Sequence, residues 1–217
     1  LTVVHAEPWG FVAQGSHRLQ GIWVEIAAAV AAEAHFPVEL HWAPYARVVR
    51  DLTHDRTEAS FLVRLPQREG KLIPVAHLFD FSTVILTRKG VSIEAYDDLA
   101  HLRIGVLPGA QLSPRFDKDN KLLKLPFRNY EILLHLLAIG RLDAVAGNSV
   151  SLAYWVRQRH LERQVGMTWT LQRTPMWLFV SPHSSRQAAI PVLRASVVRL
   201  RQQGIFEQII GRYAGEK

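Results

Sequence analysis

Short apolar runs alternate with amphipathic ones along almost the whole chain, and the alternation predicts strands and helices in turn. Leu1 to Ala6 reads as a strand, broken by the loop Pro8-Trp9-Gly10-Phe11. Ile22 to His35, rich in alanine, predicts a helix. Phe36-Pro37 closes it, because a residue before proline avoids helical backbone angles. Val38 to Trp42 alternates apolar and polar as a half-buried strand does. Pro44 then starts a helix with Val48 and Leu52 on one face, and Glu58 to Val63 predicts a third strand. Together these make a β-α-β-α-β lobe.

The second half repeats the pattern after a crossing strand, Phe81 to Thr87, and a polar break at Arg88-Lys89-Gly90. Leu102 to Leu107 predicts a strand whose loop, Pro108-Gly109-Ala110-Gln111, leads into a short helix. Asn129 to Ile139 predicts a helix stopped by Gly140. Asp143 to Ala146 reads as a buried strand, Ser149 to Gln158 as a helix, and Thr168 to Arg173 as the start of the return. Met176 to Val180 is a second crossing strand, and Arg186 to Tyr213 holds two amphipathic helices separated near Gly204. The expected class is α/β with mainly parallel sheets flanked by helices. Lobe one takes residues 1–86 and 178–217, and lobe two, 87–177, is inserted between the crossing strands.

Composition limits what this frame can do. At 217 residues, 48% hydrophobic and 21% charged, the chain can bury two modest cores, and nothing approaches the ~20 apolar residues that cross a bilayer. The start at Leu1, with no leader, is that expected of a mature or trimmed domain. With no cysteine there is no disulfide, thiolate metal site or cysteine nucleophile. The net charge of +7 suits an anionic partner or plain solubility. Its cations are scattered among acids without an aromatic-basic RNA motif or a helix-turn-helix, so no nucleic-acid partner is expected.

One series of elements carries a family resemblance over nearly the whole chain. Gly21-Ile22-Trp23-Val24-Glu25-Ile26 opens the first helix, Pro44-Tyr45-Ala46-Arg47 opens the second, and Leu65-Pro66-Gln67-Arg68 precedes Phe81-Ser82. Leu99 to Val106 runs into Leu107-Pro108-Gly109, followed by Gly140-Arg141-Leu142-Asp143-Ala144-Val145 and by Gly204-Ile205-Phe206 with Tyr213. In this order they resemble the solute-binding proteins of polar amino-acid ABC transporters, the type 2 periplasmic binding proteins of family 3. The resemblance implies two lobes, a periplasmic monomer that captures a small solute by lobe closure, and a membrane permease that reads the closed form. The same fold also serves sensor domains of membrane-bound histidine kinases or cyclases, LysR-type effector domains, and a few enzymes such as cyclohexadienyl dehydratases.

The resemblance also implies a site. Arg68 matches the arginine that forks onto the ligand carboxylate, and Arg64 is its rival because the loop is shorter than the family pattern. Trp9 and Phe11 match an aromatic wall, with core filling as the alternative, and Glu7 stands close enough in sequence to meet an ammonium or hydroxyl. Gly109, Ala110 and Gln111 match a turn whose N-H groups meet the carboxylate. Asn148 stands where amino-acid binders carry an acid for the α-ammonium; an amide accepts from an ammonium without neutralising it, so a carboxylate lacking that group is a rival ligand. Asp143 is expected to be structural.

No enzyme is expected. The ten histidines include no His-Glu-x-x-His and no pair spaced as a local chelate, and no Gly-x-Ser-x-Gly elbow or phosphate-binding glycine loop occurs. No metal or other cofactor is implied. Glu7 is the one carboxylate that a dehydratase-like reading would use.

Overall fold

Two 16-residue strands, Ile73–Arg88 and Val165–Val180, set the course of the chain. The structure, a computed structural model, describes residues 1–13, 15, 17–65 and 69–215, and divides into two compact units. Unit 1 comprises Leu1–Asp80 and Pro175–Tyr213; unit 2 comprises Phe81–Thr174 and takes in Ala214 and Gly215. Each long strand runs from one unit into the other. The sequence predicts only parts of these strands, Phe81–Thr87 in the first and, on either side of Pro175, Thr168–Arg173 and Met176–Val180 in the second.

In chain order unit 1 holds β1 (Thr2–Val4), a small hairpin of β2 (Phe11–Val12) and β3 (Leu19–Gln20), α1 (Ile22–Ala34), β4 (His41–Ala43), α2 (Tyr45–Thr53), β5 (Ala59–Val63) and the first half of β6 (Ile73–Arg88). β1 pairs parallel with β4, Thr2 opposite His41. The strand expected at Val38 starts only at His41, because its partner β1 offers just three residues. Thr2 bonds to Thr57 and Ser60, which places the start of β1 beside the start of β5.

Period-two alternation splits the unit 1 core into two faces. Leu62 and Phe179 join Ala43, Val48, Leu52 and Leu72 beneath α2. Phe61, one residue earlier, faces Trp23 of α1, which in turn stacks on Trp9 and Phe79.

Unit 2 continues with β7 (Arg103–Val106), α3 (Pro114–Lys118), β8 (Leu123–Pro126), α4 (Tyr130–Ala138), β9 (Ala144–Asn148), α5 (Ser149–Gln158) and β10 (Val165–Val180); α6 (Ile190–Gln202) and α7 (Ile205–Ala214) close the chain in unit 1. β7 lies parallel to both β8 and β9, and β9 pairs antiparallel with β6. Likewise β5 and β10 pair antiparallel in unit 1. β8 is not foreseen from the sequence; as an edge strand it tolerates Lys124 and Pro126.

The sheet of unit 2 is buried on both faces, which explains its unbroken apolar strands. Val84, Leu86 and Val145 pack under α4 and α5 with Leu133, Leu137 and Leu152, whereas Ile85, Ala144 and Ala146 face Leu99, Leu112 and Phe116. Gly105 permits this approach, since a Cβ there would lie 2.4 Å from Leu133 and 2.6 Å from Leu142.

Candidate functional site

In α/β units ligands meet the carboxyl ends of strands, where loops and helix N-termini converge. β9 ends at Asn148, which is also the N-cap of α5: its Oδ1 accepts the Ser151 N-H at 3.0 Å. Its own backbone N-H donates to the Tyr130 hydroxyl at 3.1 Å. Tyr130 lies on Gly147, where a Cβ would come within 2.6 Å of the phenol, and burial raises the phenol above its ordinary pKa.

Asn148 is expected to accept from an ammonium, and one of the two lone pairs of its oxygen is already engaged by the helix cap. The Nδ2 group remains, with no hydrogen bond among the described residues, and it only donates. Ser149 and Val150 follow in the first turn, whose N-H groups lack partners within the helix and carry the positive end of its dipole. Donors therefore collect at this end of α5.

The neighbouring loop follows β7. Gly109, Ala110 and Gln111 are all exposed, and the turn has Gly109 at φ +72°. The Ala110 N-H turns back to Leu107 O at 3.2 Å, so this backbone donor, expected to meet a ligand, is engaged within the turn. The Gln111 side chain remains exposed. Thr83 draws loop and cap together: its hydroxyl donates to Leu112 O at 2.6 Å, and it stands opposite Asn148 in the β6–β9 register. A cavity of about 270 Å³ opens beside this loop, bounded by Leu107, Gly109, Phe116 and Lys124.

Unit 1 is built differently at the corresponding place. The carbonyls of Pro8 and Trp9 accept the N-H groups of Ile22 and Trp23 at 3.0 and 2.8 Å, sealing the start of α1. Only glycine fits at position 21, with φ +120° and the Pro8 and Trp9 oxygens 2.6 and 2.8 Å from a virtual Cβ. The glycine that opens the first helix is thus explained by loop closure.

The candidate aromatic wall divides. Trp9 is 8% exposed and packed on Trp23, with ring centroids 4.8 Å apart, so the core-filling alternative describes its placement. Phe11 is half-buried in the hairpin, paired with Gln20. Glu7 is also half-buried, one residue before the Pro8 carbonyl that caps α1.

Arg64 follows the last residue of β5, and its N-H bonds Pro175 O at 3.0 Å. Leu62 stands opposite Trp177, so period two brings Arg64 to the same face, where its guanidinium lies 4.6 Å from the Trp177 ring. Glu69 approaches it at 3.8 Å. Arg68 lies outside the described residues, together with Pro66 and Gln67.

Sequence reasoning gave no site role to four residues of this half. Trp177 supports Arg64, and His77, held by Asp80 and Arg201, stands 5.9 Å behind it. Trp42 is 49% exposed and stacks on His5 at 4.5 Å, where β1 and β4 end. Tyr45 follows, 44% exposed. Their signal was available: bulky aromatics flank Pro44, where a strand passes into a helix.

Asp143 is structural, as expected. It accepts from the Arg103 N-H at 3.0 Å and from its Nε and Nη2, both at 2.8 Å, while Nη2 also reaches Gly140 O at 2.9 Å. The Arg103 fork holds its carboxyl at about 2, well below the ordinary 3.8. The Gly-Arg-Leu-Asp-Ala-Val element therefore locks the end of α4 onto β7. Among the described residues no cluster of three His, Asp or Glu could hold a metal ion.

No family model matches this chain, and no curated protein matches it. Solved structures do. The second substrate binding domain of a candidate amino acid ABC transporter from Streptococcus pneumoniae aligns over 98% of this chain and 99% of its own, at 17% identity and TM-score 0.74. A mutant of ArgBP from T. maritima aligns over 99% and 94% at 18% identity and TM-score 0.71. The VFT2 domain of Bordetella pertussis BvgS aligns over 98% and 91% at 15% identity and TM-score 0.74. The chain has the fold these proteins share, the two-lobed periplasmic-binding-protein-like II fold.

Proposed function

We propose that this chain is a periplasmic solute-binding protein that captures a small carboxylate-bearing solute by lobe closure. The observation that carries the ligand class is the arrangement at Asn148: a capping amide whose Nδ2 donors have no partner among the described residues, beside the first turn of a ten-residue helix. Such a site favours an anion. In unit 1, Arg64, preset on Trp177, is the proposed cation for a ligand carboxylate, with Arg68 as its partner or rival. Glu7, Phe11 and Gln111 complete the proposed contacts. Amino-acid binding by structural neighbours supports the solute size and the carboxylate.

Position 148 in unit 2 supplies no carboxylate to neutralise an α-ammonium, so the proposed solute takes its affinity from the carboxylate and not from an amino group. The role is capture without catalysis, and the proposed reader is the permease of an ABC transporter; the sensor-domain reading shares the capture chemistry and differs in the partner. Ligand that binds only the folded chain raises its melting temperature. A thermal-shift panel of amino acids, their deaminated analogues, polyamines and sugars is expected to pick out carboxylates. A panel without any carboxylate hit overturns the proposal.

A further inference from the structure

Unit 1 holds a second cavity, of about 380 Å³, on the opposite edge of its strands from Arg64. Its rim includes His41, Thr57 and Ala59, at the starts of β4 and β5, and Val180 at the end of the antiparallel β10. Its floor is apolar: Ala27 and Val30 of α1, with Phe61 and Leu178, all 5% exposed or less.

Protein interiors are close-packed, and walls without partner atoms forgo their dispersion contacts. This void exists because α1 presents Ala27 and Ala31 where a larger side chain would fill the space. Its size and its mostly apolar lining with a few polar groups are those of small-molecule sites.

The carboxylates and the guanidinium groups at the mouth are not paired with each other. Glu39 is engaged by His41 at 3.3 Å, and Glu58 accepts from Ser184 and Ser185. Arg56 and Arg186 also line the cavity, and neither has a carboxylate partner among the described residues; the Arg186 guanidinium lies 5.8 Å from the Phe36 ring. Two guanidinium groups outside any ion pair among the described residues, above an apolar floor, offer charged donors to an anion with an apolar body.

We propose that this cavity is a second ligand site, separate from the solute site, for a small amphipathic anion such as a medium-chain carboxylate. Its chain would lie along Ala27, Val30 and Leu178, with the acid group between Arg56 and Arg186. Octanoate is the probe, with octylammonium as the charge control and acetate as the chain control, titrated calorimetrically into the whole chain. Octanoate is expected to bind at least about tenfold tighter than either control. The double variant Arg56→Ala/Arg186→Ala, altered at two exposed positions, is expected to lose about tenfold for octanoate while keeping its response to the carboxylate panel. Octanoate should also bind Asn148→Asp as it binds the unaltered chain, which separates this site from the solute site. Equal binding of octanoate and octylammonium, or octanoate affinity unmoved in the double variant, overturns the proposal.

Discussion

The two units handle the same problem, the start of a helix at the end of a strand, in opposite ways. In unit 1 the Pro8 and Trp9 carbonyls fold over α1 and take its first N-H groups. In unit 2 a single side-chain oxygen, that of Asn148, caps α5 and leaves an amide donor and the first turn beside it. A helix start closed by backbone has little left to offer a ligand, so under the proposed function recognition in unit 1 falls to side chains such as Arg64. Unit 2 can recognise with its cap and its backbone. The difference is local, set by a glycine at 21 and an asparagine at 148.

The sharpest way to break the comparison is to unseal α1. Gly21→Ala combines a left-handed backbone angle with contacts of 2.6 and 2.8 Å to carbonyl oxygens. It is expected to destabilise the fold by about 3 kcal/mol or more, read from the urea midpoint. A loss below about 1 kcal/mol would show that the loop does not hold the helix start.

Next in size is the strut in unit 2. Asp143→Asn removes the charge from a bidentate pair and is expected to cost about 2 kcal/mol. Because the folded carboxyl is held at about 2 against 3.8 ordinarily, its stabilisation is complete above the upper value and is lost as pH falls through the lower one. The stability difference between the unaltered chain and Asp143→Asn should therefore shrink as pH drops from 4 towards 2. A difference constant across that window would remove Asp143 from the account.

A smaller effect belongs to the cap. Asn148→Ala is expected to cost about 1 kcal/mol of stability. Asn148→Asp keeps a capping oxygen, so its stability should match the unaltered chain within about 0.5 kcal/mol. The same change sets an acid where a donor stood, and carboxylate affinity measured by calorimetry should fall about tenfold. Unchanged affinity would remove position 148 from the solute site.

Much of the fold was legible in the sequence for reasons these residues make plain. Alanine-rich Ile22–Ala34 and the apolar runs at Val84–Leu86 and Ala144–Ala146 have the period of their elements and are buried as that period requires. β8 was not legible, since an edge strand with Lys124 and Pro126 lacks the apolar signal of a central one. The candidate site was legible as positions and not as chemistry. That Asn148 stands at a strand end follows from sequence spacing; that its oxygen caps α5 depends on the Ser151 N-H, which only the folded turn brings to it. Likewise an indole in a loop at Trp9 gives no sign of the two aromatic rings packed on it, because Trp23 and Phe79 come from distant elements.

The central claim is that this chain binds its solute through a carboxylate and without help from an α-ammonium. It is tested most directly by calorimetric titration with matched pairs differing only in that group: glutamate and glutarate, alanine and propionate, arginine and 5-guanidinopentanoate. The account predicts that, in whichever pair binds, the deaminated member binds at least as tightly as the amino acid. An amino acid that binds about tenfold or more tightly than its deaminated partner would contradict it.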